Sequence, residues 1–196
     1  MPRHELDSLS PTSSITVHLA TISQLADLVA IAHREIPGVS VSEAGLTQFL
    51  HSDPEAIFAF ERAGNLLGGI AFLYLNRRGL DALLLGGIDL KFPNHEFLAR
   101  PDEDVSAIYV WALACHGRAV LGLANVAEYL RRPRYISADY FAQPSTTAGR
   151  DLLIAIGFKP ISNFQPDLWR YRRPWNRGSS DARAVTSARS FADARH

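Results

Sequence analysis

One run of residues constrains the fold of this chain more than any other: Ala107-Ile-Tyr-Val-Trp-Ala-Leu-Ala-Cys115, followed directly by His116-Gly117. Its apolar content predicts a strand inside a sheet, since strands covered on both faces carry few polar side chains. The glycine ends that strand, and the helical spacing of apolar residues begins at about Arg118. The first N–H groups of a helix have no partner within it, and they suit a phosphate or pyrophosphate. The sequence therefore predicts an anion site just after Cys115.

Apolar periodicity and turn signals place the other elements. Ile15, Val17 and Leu19 alternate with polar residues, as in a half-buried strand. Thr21-Ile-Ser-Gln24 and Ser40-Val-Ser-Glu43 match helix capping boxes. We predict strands over residues 15–20, 56–61, 66–75, 107–115, 135–142, 158–161 and 168–172, and helices beginning near residues 21, 40, 118 and 146. Residues 80–85 fit either a strand or one or two helical turns.

The order of these elements predicts a single mixed, mostly antiparallel sheet flanked by helices on both faces, of the α+β or α/β class. Gly68 and Gly69 predict a bulge or a close backbone approach. Residues 76–105 are predicted to form an insertion over one face of the sheet. The domain is predicted to span residues 15–173, between a flexible lead over 1–14 and a disordered tail over 174–196.

Charge and cysteine content exclude some functions. Lys plus Arg and Asp plus Glu number 20 each, whereas a dedicated nucleic-acid binder needs a basic surface. The chain has one cysteine, Cys115, so an internal disulfide is impossible and a reducing compartment is expected. No apolar run reaches the roughly 18–20 residues of a membrane span, and the N-terminus lacks the apolar core of a signal peptide. We expect a cytoplasmic protein with neither nucleic-acid nor membrane partners.

These features together resemble the GNAT superfamily of acyl-CoA N-acyltransferases over about residues 15–172. The hairpin over 58–70, the strand and helix over 107–131, and the helix over 146–158 with its Gly157-Phe158 ending carry the resemblance. It implies an enzyme that transfers an acyl group directly to an amine of a small molecule or protein. Acetyl-CoA or another acyl-CoA is the implied co-substrate.

The family's pyrophosphate loop, Q/R-x-x-G-x-G/A, is best matched by residues 116–121. The match is degenerate, because His116, Ala119 and Leu121 replace the usual Arg or Gln, the central Gly and the small residue. The resemblance implies that the loop holds the pyrophosphate through backbone N–H groups, with Arg118 adding charge. The implied cofactor-binding residues are Leu113 and Ala114, through their backbone, and His116, Gly117, Arg118, Ala119, Val120, Leu121 and Thr146.

The resemblance does not by itself identify the residue that protonates the leaving thiolate. Leu153 stands where the family often has a tyrosine, and leucine has no proton to donate. Tyr140 is the candidate catalytic acid, although a half-buried structural tyrosine is an alternative. Tyr109 and Trp111 share one face of the central strand, which favours core positions over an acceptor pocket. For Cys115, an inert buried thiol is favoured over a nucleophile.

Other features keep two interpretations each. His116 either meets a phosphate or caps a surface turn. The acidic run 102–104 either recognises a cationic acceptor or forms a solvated loop. The histidines lack the spacing of a metal site. Two further functions therefore stay open: a catalytically degenerate acyl-CoA-binding or regulatory module, and a structural protein assembling as a homodimer.

Overall fold

The computed structural model describes residues 14–89, 93–161 and 165–174. The strands are β1 (Thr16–Leu19), β2 (Ile57–Arg62), β3 (Asn65–Leu75), β4 (Ala107–Cys115), β5 (Asp139–Ala142), β6 (Lys159–Pro160) and β7 (Trp169–Tyr171). The α-helices are α1 (Leu25–Glu35), α2 (Glu43–Ser52), α3 (Arg77–Leu85), α4 (Leu123–Tyr129), α5 (Pro133–Ile136) and α6 (Thr147–Ile156). Short 3₁₀ turns cover Ile22–Gln24, His95–Phe97 and Gly117–Gly122. The predicted lead and tail fall almost wholly outside the described residues.

The strands form one seven-stranded sheet in the order β1-β2-β3-β4-β5-β7-β6. Every neighbouring pair is antiparallel except β4 and β5, which run parallel. The predicted mixed, mostly antiparallel sheet is confirmed, with β4 at its centre. Within the described residues, no helix has the length and apolar character needed to cross a membrane.

The helices cover both faces of this sheet. Leu28 of α1 lies against Gly69, close to the position that a side chain there would take. Phe58 lies on the opposite face, since its partner in β3 is Ile70, and the ring of Tyr129 from α4 packs on it with 4.9 Å between centroids. The sheet is therefore the middle layer of the fold.

Side-chain caps fix where the helices begin. Thr21 and Gln24 form the predicted capping box. The cap of α2 is Ser42, whose hydroxyl accepts from the N–H of Gly45 at 3.1 Å, so the predicted start at residue 40 is two residues early. Asn76 caps α3 in the same way, which resolves the ambiguity over 80–85 in favour of a helix.

Gly68 makes the close approach predicted for it. Its φ is +148°, and a Cβ there would lie 2.2 Å from the carbonyl oxygen of Ala114 and 2.5 Å from the Cα of Cys115. A side chain is therefore excluded on both conformational and steric grounds. This contact brings β3 tightly against the last residues of β4.

Two predictions between β4 and β5 are wrong. The helix predicted over 118–131 is a 3₁₀ turn followed by α4, which ends at Tyr129. Pro133 begins α5, at a position where its missing N–H costs nothing. Tyr135, predicted in a strand, lies in α5, fully buried against Tyr74 with 4.8 Å between ring centroids. That tertiary contact outweighs its intrinsic preference for a strand.

Candidate functional site

The candidate site lies where the two parallel strands separate. Backbone pairing between β4 and β5 covers only Ala107–Val110 against Asp139–Ala142. Beyond Val110, β4 continues to Cys115, whereas β5 has ended. No described strand pairs with this part of β4 on its β5 side. The backbone of the second half of β4 therefore has no strand partner on this side among the described residues, and we call this region the gap.

A bulge in β4 coincides with this separation. Ala112 pairs with Ala71 and Val110 pairs with Phe72, so Trp111 is an extra residue of β4 between two consecutive register pairs. Such a bulge bends its strand and increases the local twist. The bulge falls immediately after Val110, the last residue of β4 that pairs with β5. It therefore gives a physical reason for the gap.

Alternation of the backbone shows which groups face the gap. The N–H of His116 donates to the carbonyl oxygen of Leu67 at 2.8 Å and so points towards β3. Successive residues of a strand direct their N–H and C=O groups to opposite sides. The backbone of Ala114 therefore also points towards β3, whereas that of Leu113 faces the gap. Of the two residues predicted to hold a pantetheine arm through their backbones, only Leu113 directs its backbone groups towards the gap. Ala114 instead lines a cavity beside the gap.

A cavity of about 320 Å³ adjoins the gap on the α1 and α2 face of the sheet. Its walls come from α1, the loop over 36–41, α2, β2, β3, β4 and the residues after β5. Leu28, Val41, Leu46 and Trp111 represent its mainly apolar lining. The position of this cavity beside unpaired strand backbone makes it the candidate binding site.

Tyr109 and Gln143 supply polar groups in this lining. The Tyr109 hydroxyl donates to the side-chain oxygen of Gln143 at 3.0 Å. Burial raises the pKa of Tyr109 well above its usual value, so the hydroxyl stays protonated at neutral pH. Tyr109, Trp111, Gln143 and Ser145 all line the cavity. The sequence prediction favoured core positions for Tyr109 and Trp111, and it did not include Gln143 or Ser145. The placement of Tyr109 and Trp111 on one face of β4 could have indicated that they line a common cavity.

The segment after β4 begins with two free amides. The N–H of Ala119 donates to the carbonyl oxygen of His116 at 3.2 Å, which starts the 3₁₀ turn. Within the described residues, the N–H groups of Gly117 and Arg118 have no hydrogen-bond partner in the structure. Gly117 has a φ of +55° and open space beside its Cα. The backbone here is free to approach an anion.

The other residues of the predicted loop differ in exposure. Ala119 is fully buried, Val120 is half-buried and Leu121 is 65% exposed. Gly122 packs closely against β1, because a Cβ there would lie 2.9 Å from a methyl group of Val17. The loop is thus anchored at Ala119 and Gly122 and open at its first residues.

An acidic group stands beside these amides. The ring nitrogen Nδ1 of His116 lies 3.7 Å from the Glu35 carboxylate, which also accepts a hydrogen bond from Arg34 at 2.9 Å. The hydrogen bond from Arg34 is the main reason that the pKa of Glu35 is lowered. Burial, and then the charge of Glu35, raise the pKa of the neighbouring Cys115 thiol. Cys115 is therefore held as a thiol rather than a thiolate.

The structure places Tyr140 outside the residues that line the cavity. Its hydroxyl accepts a hydrogen bond from Arg173, whose guanidinium lies 4.7 Å from the centre of the Tyr140 ring. Burial raises the pKa of Tyr140, and the charge of Arg173 opposes that rise. Leu153 lies in a small apolar cluster with Phe158 and Trp169. Tyr140 and Leu153 therefore both make contacts that stabilise the fold.

Thr146 caps α6, since its hydroxyl oxygen accepts from the N–H of Gly149 at 2.9 Å. Its neighbour Ser145 lines the cavity. The start of α6 therefore borders the gap at the end of β5.

A second cavity, of about 350 Å³, lies between the end of α2, Tyr74 and the segment over 95–101. Its acidic side chains already have partners: Asp53 pairs with Arg134 at 3.0 Å and Glu96 with Arg78 at 3.1 Å. It borders neither the bulge nor the free amides. Within the described residues, no cluster of His, Cys, Asp and Glu side chains is arranged to hold a metal ion.

Comparison with known proteins identifies the fold. No family model and no curated protein matches the sequence. Among solved structures, the GphF GNAT-like decarboxylase in complex with isobutyryl-CoA aligns with a TM-score of 0.53 at 18% identity, over 72% of each chain. Ard1 from Thermoplasma volcanium aligns with a TM-score of 0.51 at 12% identity, over 81% of this chain and 96% of its own.

A third solved structure is the diaminobutyrate acetyltransferase EctA from Paenibacillus lautus, in complex with L-2,4-diaminobutyric acid and coenzyme A. It aligns with a TM-score of 0.50 at 12% identity, over 81% of this chain and 94% of its own. At these identities the likeness concerns the fold. The chain has the GNAT fold, as the sequence predicted.

Proposed function

We propose that this chain binds an acyl-CoA in the gap between β4 and β5 and transfers the acyl group directly to an amine. The observation that carries the proposal is the bulge at Trp111, which parts the two strands beside an apolar cavity. The GNAT-fold neighbours support the choice of ligand, since two of them are named as complexes with coenzyme A or isobutyryl-CoA.

The residues present suit the parts of such a ligand. The free amides of Gly117 and Arg118 can hold the pyrophosphate, and the exposed Arg118 adds positive charge. The backbone of Leu113 faces the gap, where the amide groups of a pantetheine arm can pair with it as a further strand would. Glu35 opposes the anion, and Arg34 and His116 reduce that opposition.

The chemistry requires no covalent intermediate on the protein. The lone pair of a neutral amine attacks the thioester carbonyl carbon, the carbon–sulfur bond breaks, and the proton from the nitrogen passes to the thiolate. Backbone N–H groups of β4 beyond the bulge polarise the carbonyl oxygen. Alignment of the two reactants in the cavity supplies much of the rate. Tyr109, which lines the cavity, is a second candidate beside Tyr140 for relaying this proton: its hydroxyl gives a proton to the sulfur and takes up the one leaving the nitrogen.

The test is thermal unfolding of the full chain with and without acetyl-CoA and isobutyryl-CoA. A ligand present at about 100 times its Kd stabilises the folded state by about 2.7 kcal/mol, which raises Tm by several degrees. Coenzyme A should compete for the same site. Unchanged Tm at millimolar acyl-CoA contradicts the proposal.

A second candidate is decarboxylation of an acyl-CoA that carries a carboxyl group. The observation favouring it is a cavity whose described lining carries no charged residue, since removing a carboxylate from water favours its loss as CO₂. The enolate that remains on the acyl-CoA takes its proton from water. One GNAT-fold neighbour is named as a decarboxylase. Incubation with malonyl-CoA and methylmalonyl-CoA, with and without amines, separates this activity from acyl transfer. Acyl-CoA binding without either reaction would instead favour the non-catalytic binding module.

A further inference from the structure

We infer that the acceptor is a weakly basic, uncharged amine on an apolar body, of the arylamine class. Alkylammonium compounds and amino acids are the acceptors that this inference excludes. It rests on the proposed acyl transfer and adds the substrate class.

The first support is the charge of the cavity lining. None of the described residues that line it is Asp, Glu, Lys, Arg or His. Moving an ammonium or carboxylate from water into such a site costs free energy that none of the described lining side chains offsets with an opposite charge. An acceptor with a fixed charge is therefore disfavoured here.

The charged residues nearest the cavity either already have hydrogen-bond or ion-pair partners or do not line the cavity. Glu35 is paired with Arg34 and His116, and the His33 ring hydrogen-bonds the carbonyl oxygen of Val41 at 2.9 Å. Asp102, Glu103 and Asp104 are exposed and do not line the cavity. The acidic run that the sequence offered as a site for a cationic acceptor is therefore not next to the candidate site.

The second support is the absence of a base among the described lining residues. An alkylamine has a pKa near that of lysine, about 10.4, so almost all of it is protonated at neutral pH and cannot attack. Tyr109 cannot remove that proton, because burial keeps its own hydroxyl protonated. An arylamine needs no base, since delocalisation of its lone pair into the ring leaves it neutral at this pH.

The third support is the shape and character of the walls. The Trp111 ring borders the cavity and lies 5.2 Å from the Phe49 ring, centroid to centroid. An apolar cavity of about 150 Å³ is enough to bind benzene. The present volume of about 320 Å³ therefore admits one aromatic ring together with the reacting carbonyl. An aromatic acceptor can also make ring contacts with Trp111.

The group transfer balances without a residue acting as base. The arylamine nitrogen forms the new bond to the acyl carbon, the thioester carbon–sulfur bond breaks, and one N–H proton of the attacking amine ends on the coenzyme A sulfur. The products are an anilide and free coenzyme A.

The experiment uses two acceptors of similar size, aniline and cyclohexylamine, with the full chain and acetyl-CoA at neutral pH. Coenzyme A release is measured, and the uncatalysed rate of each amine is subtracted. We expect kcat/KM for aniline to exceed that for cyclohexylamine at least tenfold. Equal or greater use of cyclohexylamine overturns the inference and leaves acyl transfer in place.

Two further outcomes are distinguishable. Failure of both amines, while acyl-CoA still raises Tm, overturns the acceptor class and leaves acyl-CoA binding standing. Failure of acyl-CoA to raise Tm overturns the proposed function itself.

Ser40 offers a matched pair of variants, because it is exposed and borders the cavity. Ser40→Asp adds a carboxylate that can bind an ammonium group and accept its proton as a base, so it should shift the aniline-to-cyclohexylamine ratio towards cyclohexylamine by about tenfold. Ser40→Asn adds a neutral group of the same size and should leave the ratio as it was. An equal shift in both variants contradicts the electrostatic basis of the inference.

Discussion

The Tyr109 hydroxyl on β4 donates a 3.0 Å hydrogen bond to the side-chain oxygen of Gln143, the residue that follows β5. Backbone pairing of these strands ends at Val110 and Ala142. The side-chain bond therefore links the two strands next to the point where their backbones separate. It also fixes two polar groups in the lining of an otherwise mainly apolar cavity.

Tyr109→Phe tests the role of this bond. We expect the free energy of unfolding to fall by about 1 kcal/mol, because the Gln143 oxygen loses its donor. Acyl transfer should fall by about tenfold in kcat/KM, since the wall beside the reacting groups is no longer fixed. Urea denaturation and steady-state kinetics measure the two effects.

Tyr140→Phe is the matched comparison. It removes the hydroxyl that accepts from Arg173, outside the cavity lining, so stability should fall while activity per folded molecule is retained. A larger loss of activity in Tyr140→Phe than in Tyr109→Phe would assign the acid role to Tyr140 instead.

Gly68→Ala should destabilise the protein by more than about 3 kcal/mol. The added Cβ would meet the Ala114 carbonyl at 2.2 Å, and the φ of +148° is a region that alanine avoids. Gly117→Ala is the control, because its φ of +55° is unfavourable for alanine but no atom lies within 4 Å of the new Cβ. Its cost should be about 1–2 kcal/mol. Chemical denaturation compares the two, and equal losses would contradict the steric argument at Gly68.

Glu35→Gln should tighten acyl-CoA binding about two- to fivefold at low salt. The substitution removes the negative charge beside the amides proposed to hold the pyrophosphate, and it leaves Arg34 and His116 in place. Calorimetric titration gives the Kd, and salt should reduce the effect by screening. Glu43→Gln, an exposed change in the first turn of α2, should leave the Kd unaltered. Weaker binding in Glu35→Gln would show that Glu35 positions its neighbours rather than repelling the ligand.

Glu55 should make the free energy of unfolding depend on pH. Burial alone raises the pKa of this carboxylate, but hydrogen bonds from Arg132 and Tyr135 outweigh it and lower the pKa to about 2. A folded-state pKa below the unfolded value of about 4.3 means that the contribution is present above that value and is lost as the pH falls towards 2. The loss should be about 1–2 kcal/mol, because partial exposure screens the interaction.

Urea denaturation at a series of pH values between about 6 and 2.5 measures this dependence. Glu55→Gln should lower stability at neutral pH and flatten the slope below pH about 4.5. A steep slope that persists in Glu55→Gln would place the acid sensitivity in another group.

The elements that could be predicted from the sequence are those with strong local patterns. The bounds of β4 were predicted correctly, because its apolar run and the glycine after it are strong local signals. The Thr21–Gln24 capping box and the glycine that ends α6 were recognisable for the same reason. The start of α5 at Pro133 was not, because a proline can either end a helix or begin one, and the burial of Tyr135 against Tyr74 favours the second outcome.

The candidate site was predictable only in part. The turn after Cys115 could be recognised from its glycine, and the anion site there stays a prediction. The cavity could not, because its walls come from segments far apart in the chain, as Leu28, Trp111 and Gln143 illustrate. Their proximity depends on how α1 and the end of β5 lie against β4.

The sequence alone determined the order of the strands, the extent of β4 and its central position, since these follow from strong local patterns, whereas α3 stayed ambiguous and α5 was missed. The tertiary structure alone decided that a bulge at Trp111 falls where β5 ends, and that a cavity whose described lining carries no charged residue lies there. Strand register and side-chain packing between distant segments set both features, and no local pattern encodes them.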